Sequence, residues 1–354
     1  MSDRRIYIEI NNTCNLRCSF CPYTYKNRDK QLNFPIEQLE RVLEDIKSSI
    51  KYRIIYFHNL NEPLLYPKFR ELLDICNEKE IKYGITTNGI LLNRYYSEIA
   101  NSNMKELNIS YQVVSEYMNN ERGNLMTIEQ YRNHILKYTN IIARKFHGEI
   151  KIKLLLTNQE SIFNGRRIYG IENHAQLIDE LNKFYYFYHK KFLQQKEIDV
   201  INTLPLDRFC KIQITNNIYI ELFPFLTWGN TYKKIHKAYI GKCDGFSGQI
   251  QIKCNGDVLP CCYDVDSKLV VGNVFDEKLS IIKEKVNYKK VERNILSKWI
   301  CYDICRVCQG NSEIITLWKQ QLATLFCNKI EERFVFSHNK VILNEDRAWN
   351  IGVD

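Results

Sequence analysis

Over its first 160 residues the chain alternates between two spacings of apolar positions. "RIYIEI" (5–10) is apolar at every second position, which predicts a strand. From Pro35 to Ile50 the residues Ile36, Leu39, Val42, Leu43 and Ile46 recur at helical spacing, and Pro35 suits the first helical position. "IIYF" (54–57) is a short continuous apolar run, the pattern of a strand buried on both faces. A helix is expected from Pro67 to about Lys79, then a strand at "KYGITTN" (82–88) ending in the turn pair Asn88-Gly89. A further helix precedes the strand "ELNIS" (106–110). A long helix over roughly 127–145 and the strand "EIKIKLLLT" (149–157) follow. Strands separated by helices predict an α/β fold with a parallel sheet and right-handed crossovers. Function in such sheets gathers at the C-terminal strand ends. "TCNLRCSFCPY" (13–23), "HNLNEP" (58–63) and "TTNG" (86–89) all fall at such ends.

Near residue 200 the texture changes: segments shorten and turn residues become denser. "GQIQIKCNGDVLPCC" (248–262) predicts a β-hairpin, with alternating residues on either side of a turn at Asn255-Gly256-Asp257. The expected organisation is a first domain at 1–200, a second at 201–330 and a tail at 331–354. The 354 residues contain no apolar run of 18, and the N-terminus has no signal-peptide core, so a cytoplasmic protein with no membrane partner is expected. The net charge of +9 would suit an anionic partner. Its basic residues are spread along the chain like those of solvated helix faces, and nucleic acid is not expected.

In a reducing compartment, thirteen cysteines point to metal ligands rather than disulfides. Ten of them fall in two groups, at 14–21 and 243–308. Cys14-x3-Cys18-x2-Cys21 places three thiolates on one loop able to wrap a single metal centre. Two readings stand on spacing alone: a zinc site completed by a distant fourth ligand, or a four-iron cluster with one iron left open. The second group can likewise be a four-thiolate zinc site or a closed cluster.

The spacing, with Phe20 before the last cysteine, resembles the signature of the radical S-adenosylmethionine (SAM) superfamily. That resemblance covers roughly residues 5–200 and implies a partial (βα)6 TIM-like barrel. It implies that Cys14, Cys18 and Cys21 hold a [4Fe–4S] cluster whose open iron binds SAM. Asn59-Leu60-Asn61-Glu62-Pro63 resembles the family's Gly-Gly-Glu-Pro segment, with both glycines replaced. A carbonyl at Asn61 and the Glu62 carboxylate are thereby implied for the SAM amino group, against a helix-start role for Glu62. Ser110 and Arg122 resemble residues that contact the ribose or carboxylate of SAM, although a short polar residue at a strand end can also cap a helix. His58, beside an apolar strand, is read as a packed histidine.

Over about 225–310 the chain resembles the SPASM or shorter twitch extension of these enzymes, a small domain with a β-hairpin and helices. Trp228-Gly229, "PCCYD" (260–264) and "CRVC" (305–308) carry the likeness. It implies an auxiliary [4Fe–4S] cluster on Cys243, Cys261, Cys305 and Cys308, with Cys254, Cys262, Cys301 and Cys327 spare. One auxiliary cluster, the twitch arrangement, is expected.

The implied function is that of a radical SAM oxidoreductase: cleavage of SAM to a 5′-deoxyadenosyl radical, then abstraction of a substrate hydrogen atom. Dehydrogenation or epimerisation of a sugar or aminocyclitol is expected. With the first cysteine at residue 14, no N-terminal leader-binding domain is expected, which disfavours the alternative of a peptide maturase that crosslinks or epimerises. A second alternative is a non-catalytic metal-binding protein that binds RNA. A flavodoxin- or ferredoxin-type electron donor is implied. Cys210 is the thiol considered as a hydrogen donor, against a plain buried apolar role.

Overall fold

The alternating half of the chain forms its elements in the order expected. They are β1 (Arg5–Ile8), α1 (Ile36–Ser49), β2 (Ile54–Tyr56), α2 (Phe69–Glu78), β3 (Tyr83–Thr87), α3 (Leu92–Ala100) and β4 (Glu106–Ile109). Next come α4 (Glu116–Glu121), α5 (Ile128–Ala143), β5 (Glu149–Leu156) and the hairpin β6 (Ile162–Phe163) and β7 (Arg166–Arg167). Helices α6 (His174–His189) and α7 (Gln195–Asn202) lead to β8 (Cys210–Gln213) and β9 (Ile218–Pro224). The C-terminal part holds β10 (Gln249–Ile252), β11 (Asp257–Leu259), β12 (Gly272–Asn273), α8 (Leu279–Glu284), α9 (Val286–Leu296), α10 (Asp303–Cys308) and α11 (Ile314–Phe326). Short strands β13 (Asn339–Ile342) and β14 (Gly352–Val353) close the order.

The computed structural model describes residues 4–25, 31–157, 162–163, 166–225, 236–243, 245–246, 248–326, 339–342 and 352–353. Trp228, Gly229 and Cys327 lie outside the described residues. No described helix is long and apolar enough to cross a membrane, and none of the twelve described cysteines is in a disulfide.

The chain groups into two compact units. The first comprises Met1–Asn15, Cys21–Ile85 and Trp228–Glu331; the second comprises Leu16–Phe20, Thr86–Thr227 and Glu332–Asp354.

In the first unit, β1 is paired in parallel on both sides, with β2 (Tyr7↔Tyr56) and with β10 (Tyr7↔Gln251). β10 turns back antiparallel into β11 (Gln251↔Leu259) through the predicted Asn255-Gly256 turn. Gly256 has φ +86°, and a Cβ there would lie 2.3 Å from Asn273 Oδ1, so only glycine fits. The hairpin expected from sequence is present, and it continues the sheet begun by β1. Alternation divides this sheet into two faces. Ile6, Ile8, Ile55, Phe57, Ile250 and Ile252 are fully buried on one. Tyr7, Tyr56 and Gln251 share the other, as their register requires. Helix α1 buries Ile36, Leu39, Val42, Leu43 and Ile46, the set its spacing predicted. It begins one residue later than expected, with Pro35 in extended conformation at the cap. Asp45 on its buried side accepts from the Ser280 backbone N–H (3.1 Å) and hydroxyl (2.6 Å), fastening α8.

In the second unit, β4, β5 and β9 are parallel neighbours, with β8 antiparallel to β9. β5 and β9 pair over seven residues, from Ile150↔Ile218 to Leu156↔Pro224. The segment after the compositional change near 200 thus still belongs to a core sheet. Helix α5 starts with a reciprocal cap: the Gln130 N–H donates to Thr127 Oγ1 and the Thr127 N–H to Gln130 Oε1. One face of this sheet carries charges: Lys151 lies 2.9 Å from Glu106 and 3.2 Å from Glu149, and Lys211 lies 2.8 Å from Glu149. Burial pushes the Glu149 carboxyl up, but Lys211 and Lys151 outweigh it and hold it below its ordinary value. A depressed carboxyl pKa stabilises the fold above the unfolded value and loses that contribution as pH falls through the folded one. Lys211→Met should therefore lower the urea midpoint at pH 7, with the difference from wild type shrinking as the pH is lowered towards 3. A difference independent of pH would contradict this account.

Candidate functional site

Beyond β1 the chain stays tied to its neighbours: Glu9 N–H donates to the Ile252 carbonyl (2.8 Å) and Phe34 N–H to the Ile10 carbonyl (2.8 Å). The residues just before Cys14 are then fastened to the segment after β2. Glu62 N–H donates to the Thr13 carbonyl (2.7 Å). The Asn11 amide donates to the Glu62 carbonyl (3.2 Å) and accepts from Asn61 Nδ2 (2.6 Å). Cys14 N–H donates to the Tyr23 hydroxyl (3.1 Å). Glu62 is buried and its carboxylate accepts from Leu64 N–H (3.0 Å), capping the short 3₁₀ turn Pro63–Leu65. The helix-start role weighed for Glu62 is therefore present, beside its position next to the cysteine loop.

Residues 16–20 belong to the second unit, and there the loop meets the end of α4. Arg17 N–H donates to the Arg122 carbonyl (3.2 Å) and Ser19 N–H to the Glu121 carbonyl (2.7 Å). The Ser19 hydroxyl binds the Glu121 carboxylate, and Cys18 Sγ lies 3.8 Å from the Arg122 carbonyl oxygen. Gly123 follows at φ +65°, a left-handed conformation that glycine adopts without penalty, where a Cβ would lie 3.5 Å from the Arg17 backbone.

Arg122 itself is buried. Its Nη1 donates to the Tyr111 carbonyl and to the Tyr131 hydroxyl (3.3 Å). Its Nε is buried with no hydrogen-bond partner among the described residues. Burial works against the guanidinium charge, but Tyr131 and Cys18 more than offset it, so the group is held charged. The Cys18 thiol is pushed up by burial, with Arg122 opposing. Around Tyr131 the structure also gathers Ser110 and "TTNG". Tyr131 donates to the Asn88 carbonyl (2.6 Å), Ser110 N–H donates to the Thr87 carbonyl (2.8 Å), and Tyr111 stacks on Tyr131 at 5.4 Å. Sequence reasoning missed Tyr111 and Tyr131, because a tyrosine on a helix or strand reads as core.

Cys210 is fully buried at the start of β8, paired with Leu222. Register puts it on the face of Ile212, Ile220, Ile152 and Ile109, opposite the charged face. Burial raises its thiol to about 11.

The second cysteine group lies in the first unit. Gly245 N–H points at Cys243 Sγ (3.3 Å), and Tyr263 N–H at Cys261 Sγ (3.3 Å). Helix α10 spaces Cys305 and Cys308 three residues apart, on one side of the helix. The Cys305 thiol is pushed up to about 12 by burial and then by Cys243, Cys308 and Cys261. Cys308, although it reaches the surface, is raised by its surroundings and by Cys261 and Cys243. The four expected ligands thus sense one another. Cys301 is exposed and points to the Trp299 carbonyl (3.5 Å), Cys254 is buried, and Cys262 contacts Gln249 (3.3 Å). No three described His, Cys, Asp or Glu side chains converge tightly enough to grip one metal ion.

The radical SAM superfamily matches residues 8–146, and the SPASM iron–sulfur cluster-binding domain matches 243–309. The chain belongs to the radical SAM superfamily and carries a C-terminal SPASM domain. A cofactor-modifying protein of the tungsten-containing aldehyde ferredoxin oxidoreductase of Pyrococcus furiosus is 25% identical over 275 residues, covering 72% of this chain and 70% of that protein. A GTP 3′,8-cyclase of Synechocystis is 25% identical over 183 residues, and the match spans 49% of this chain and 50% of the cyclase. Among solved structures, Streptococcus suis SuiB with its precursor peptide SuiA superposes with TM-score 0.52 at 18% identity, over 82% of this chain and 67% of SuiB. The protein anSMEcpe with bound AdoMet gives 0.50 at 12%, over 91% and 93%. At these identities the likeness shows the fold: a partial (βα)6 TIM-like barrel followed by a SPASM domain.

The family's cofactors are SAM, a SAM-binding [4Fe–4S] cluster and auxiliary [4Fe–4S] chemistry. The residues present fit them. One loop offers three thiols, a second group offers four, and the buried Arg122 Nε has a hydrogen bond still to donate. Arg122→Met removes both the bond to the Tyr111 carbonyl and the bond to the Tyr131 hydroxyl. It should cost about 1–3 kcal/mol in chemical denaturation, and an unchanged midpoint would mean that this buried pairing contributes nothing.

Proposed function

We propose that the protein is a radical SAM oxidoreductase acting on a small polar molecule, a sugar or aminocyclitol, by dehydrogenation or epimerisation. The contrast between three thiols and four carries this reading. Cys14, Cys18 and Cys21 hold a cluster with one iron left for SAM, while Cys243, Cys261, Cys305 and Cys308 hold one auxiliary cluster with none left open. When bound, the first cluster and SAM supply a 5′-deoxyadenosyl radical able to take hydrogen from an unactivated C–H bond. The Asn61 carbonyl and Glu62 stand beside Thr13 to receive the SAM amino group. Ser110 and the unpaired Nε of Arg122 take the ribose and carboxylate. Cys210, on the apolar face of its sheet, keeps its proton and is carried as a thiol able to return a hydrogen atom, beside the plain core role weighed for it. The net charge of +9 suits an acidic electron donor of the flavodoxin or ferredoxin type.

Two experiments test this. Anaerobically reconstituted protein with dithionite and SAM should form 5′-deoxyadenosine, and replacing Cys14, Cys18 and Cys21 together by Ala should abolish it; persistence in the triple variant sinks the assignment. Iron at about eight per chain, for two four-iron clusters, should fall by half in Cys305→Ala and stay unchanged in Cys301→Ala. The opposite pattern would exchange their roles.

A further inference from the structure

The polar face of β10, β1 and β2 in the first unit has a composition that packing does not explain. Parallel sheets are ordinarily filled on this side by branched apolar residues. Here the three residues side by side in register are Gln251, Tyr7 and Tyr56. Tyr7 and Tyr56 stack with ring centroids 5.4 Å apart. His58, just past the end of β2, stands edge-on to both, at 5.6 and 5.1 Å. The packed histidine expected here packs on these two phenols.

Gln251 is fully buried. Its Nε2 donates to the Ile252 carbonyl (2.9 Å), yet its Oε1 is buried with no partner among the described residues. Leaving such an acceptor unsatisfied is unfavourable, so its retention points to a ligand that donates to it. Strand alternation continued past Tyr7 brings the buried carboxylate of Glu9 to the same side. The wall is thus rich in acceptors and aromatic surface. At one end of this face Gln249 touches Cys261 (3.4 Å) and Cys262 (3.3 Å) of the auxiliary group. Past its other end lies the Asn61–Glu62 segment fastened to Thr13.

We propose that this face is the substrate-binding wall, and that its ligand is a ring bearing hydroxyl and amino groups. Gln251 Oε1 accepts from a ring hydroxyl or ammonium, Glu9 receives the ammonium, and Tyr7, Tyr56 and His58 contact the C–H surface. The inference rests on the proposed function and names its substrate contacts.

The test is direct binding, by anaerobic calorimetry on the reconstituted holoenzyme with SAM present, using glucosamine and myo-inositol as probes. Wild type should bind glucosamine more tightly than myo-inositol, because only the amino sugar brings an ammonium. Gln251→Met, which conserves volume and removes the orphan acceptor, should weaken binding at least tenfold while the melting temperature holds or rises. His58→Asn, at a half-buried position, should weaken it with the fold intact. Several results would overturn the wall: no binding of either probe by wild type, undiminished binding by Gln251→Met, a lower melting temperature for that variant, or displacement of glucosamine by a linear peptide. Formation of 5′-deoxyadenosine by wild type is scored separately. If it forms while the probes fail to bind, only the wall is wrong; if it does not form, the functional reading fails first.

Discussion

A loop that carries three thiols has no regular structure of its own, so hydrogen bonds from distant segments must hold it. Two sets do so. The bonds from Glu62 N–H to Thr13 and between Asn11 and Asn61 hold its start within the first unit. The bonds from Arg17 and Ser19 to the carbonyls of Arg122 and Glu121 hold its middle within the second. Most of them are backbone to backbone, which leaves the side chains of the partner segments free to differ. That explains how Leu60 and Asn61 stand where the family usually carries glycine: the Asn61 amide adds a hydrogen bond to Asn11 where the common pattern has none.

The strands supply the second organising rule. In each unit the sheet has an apolar face and a face that carries chemistry. Ile6, Ile8, Ile55 and Phe57 are buried on the first face of one unit, opposite Tyr7 and Tyr56. In the other unit, Ile109, Ile152, Ile212 and Cys210 lie opposite Lys151, Glu149 and Lys211. A period of two assigns roles to residues that composition alone treats alike, and it puts Cys210 on the face opposite Lys151, Glu149 and Lys211.

Much of this was legible in the sequence where a local rule operates. The spacing of Ile36, Leu39, Val42, Leu43 and Ile46 gave α1, the Asn255-Gly256 pair gave the hairpin turn, and the cysteine spacing gave both groups. What escaped depended on contacts between residues far apart in the chain. No local pattern says that β10 will pair with β1, or that the Arg122 carbonyl will face Cys18. Nor does one place His58 against Tyr7. β8 and β9 escape a local reading because they follow a change in texture that resembles a boundary, while β5, the parallel partner of β9, lies some sixty residues earlier.

The pairing of β1 with β10 also has a consequence in time. About 240 residues separate the two strands. At a synthesis rate of about 5–20 residues per second, β1 emerges on the order of ten to fifty seconds before the partner that covers this edge. Through that interval the nascent chain presents an unpaired strand beside three reactive thiols, exposed to aggregation and oxidation together. Folding of this region therefore waits on the C-terminal domain, and deleting that domain would remove an interior strand of the catalytic sheet rather than trim an appendage.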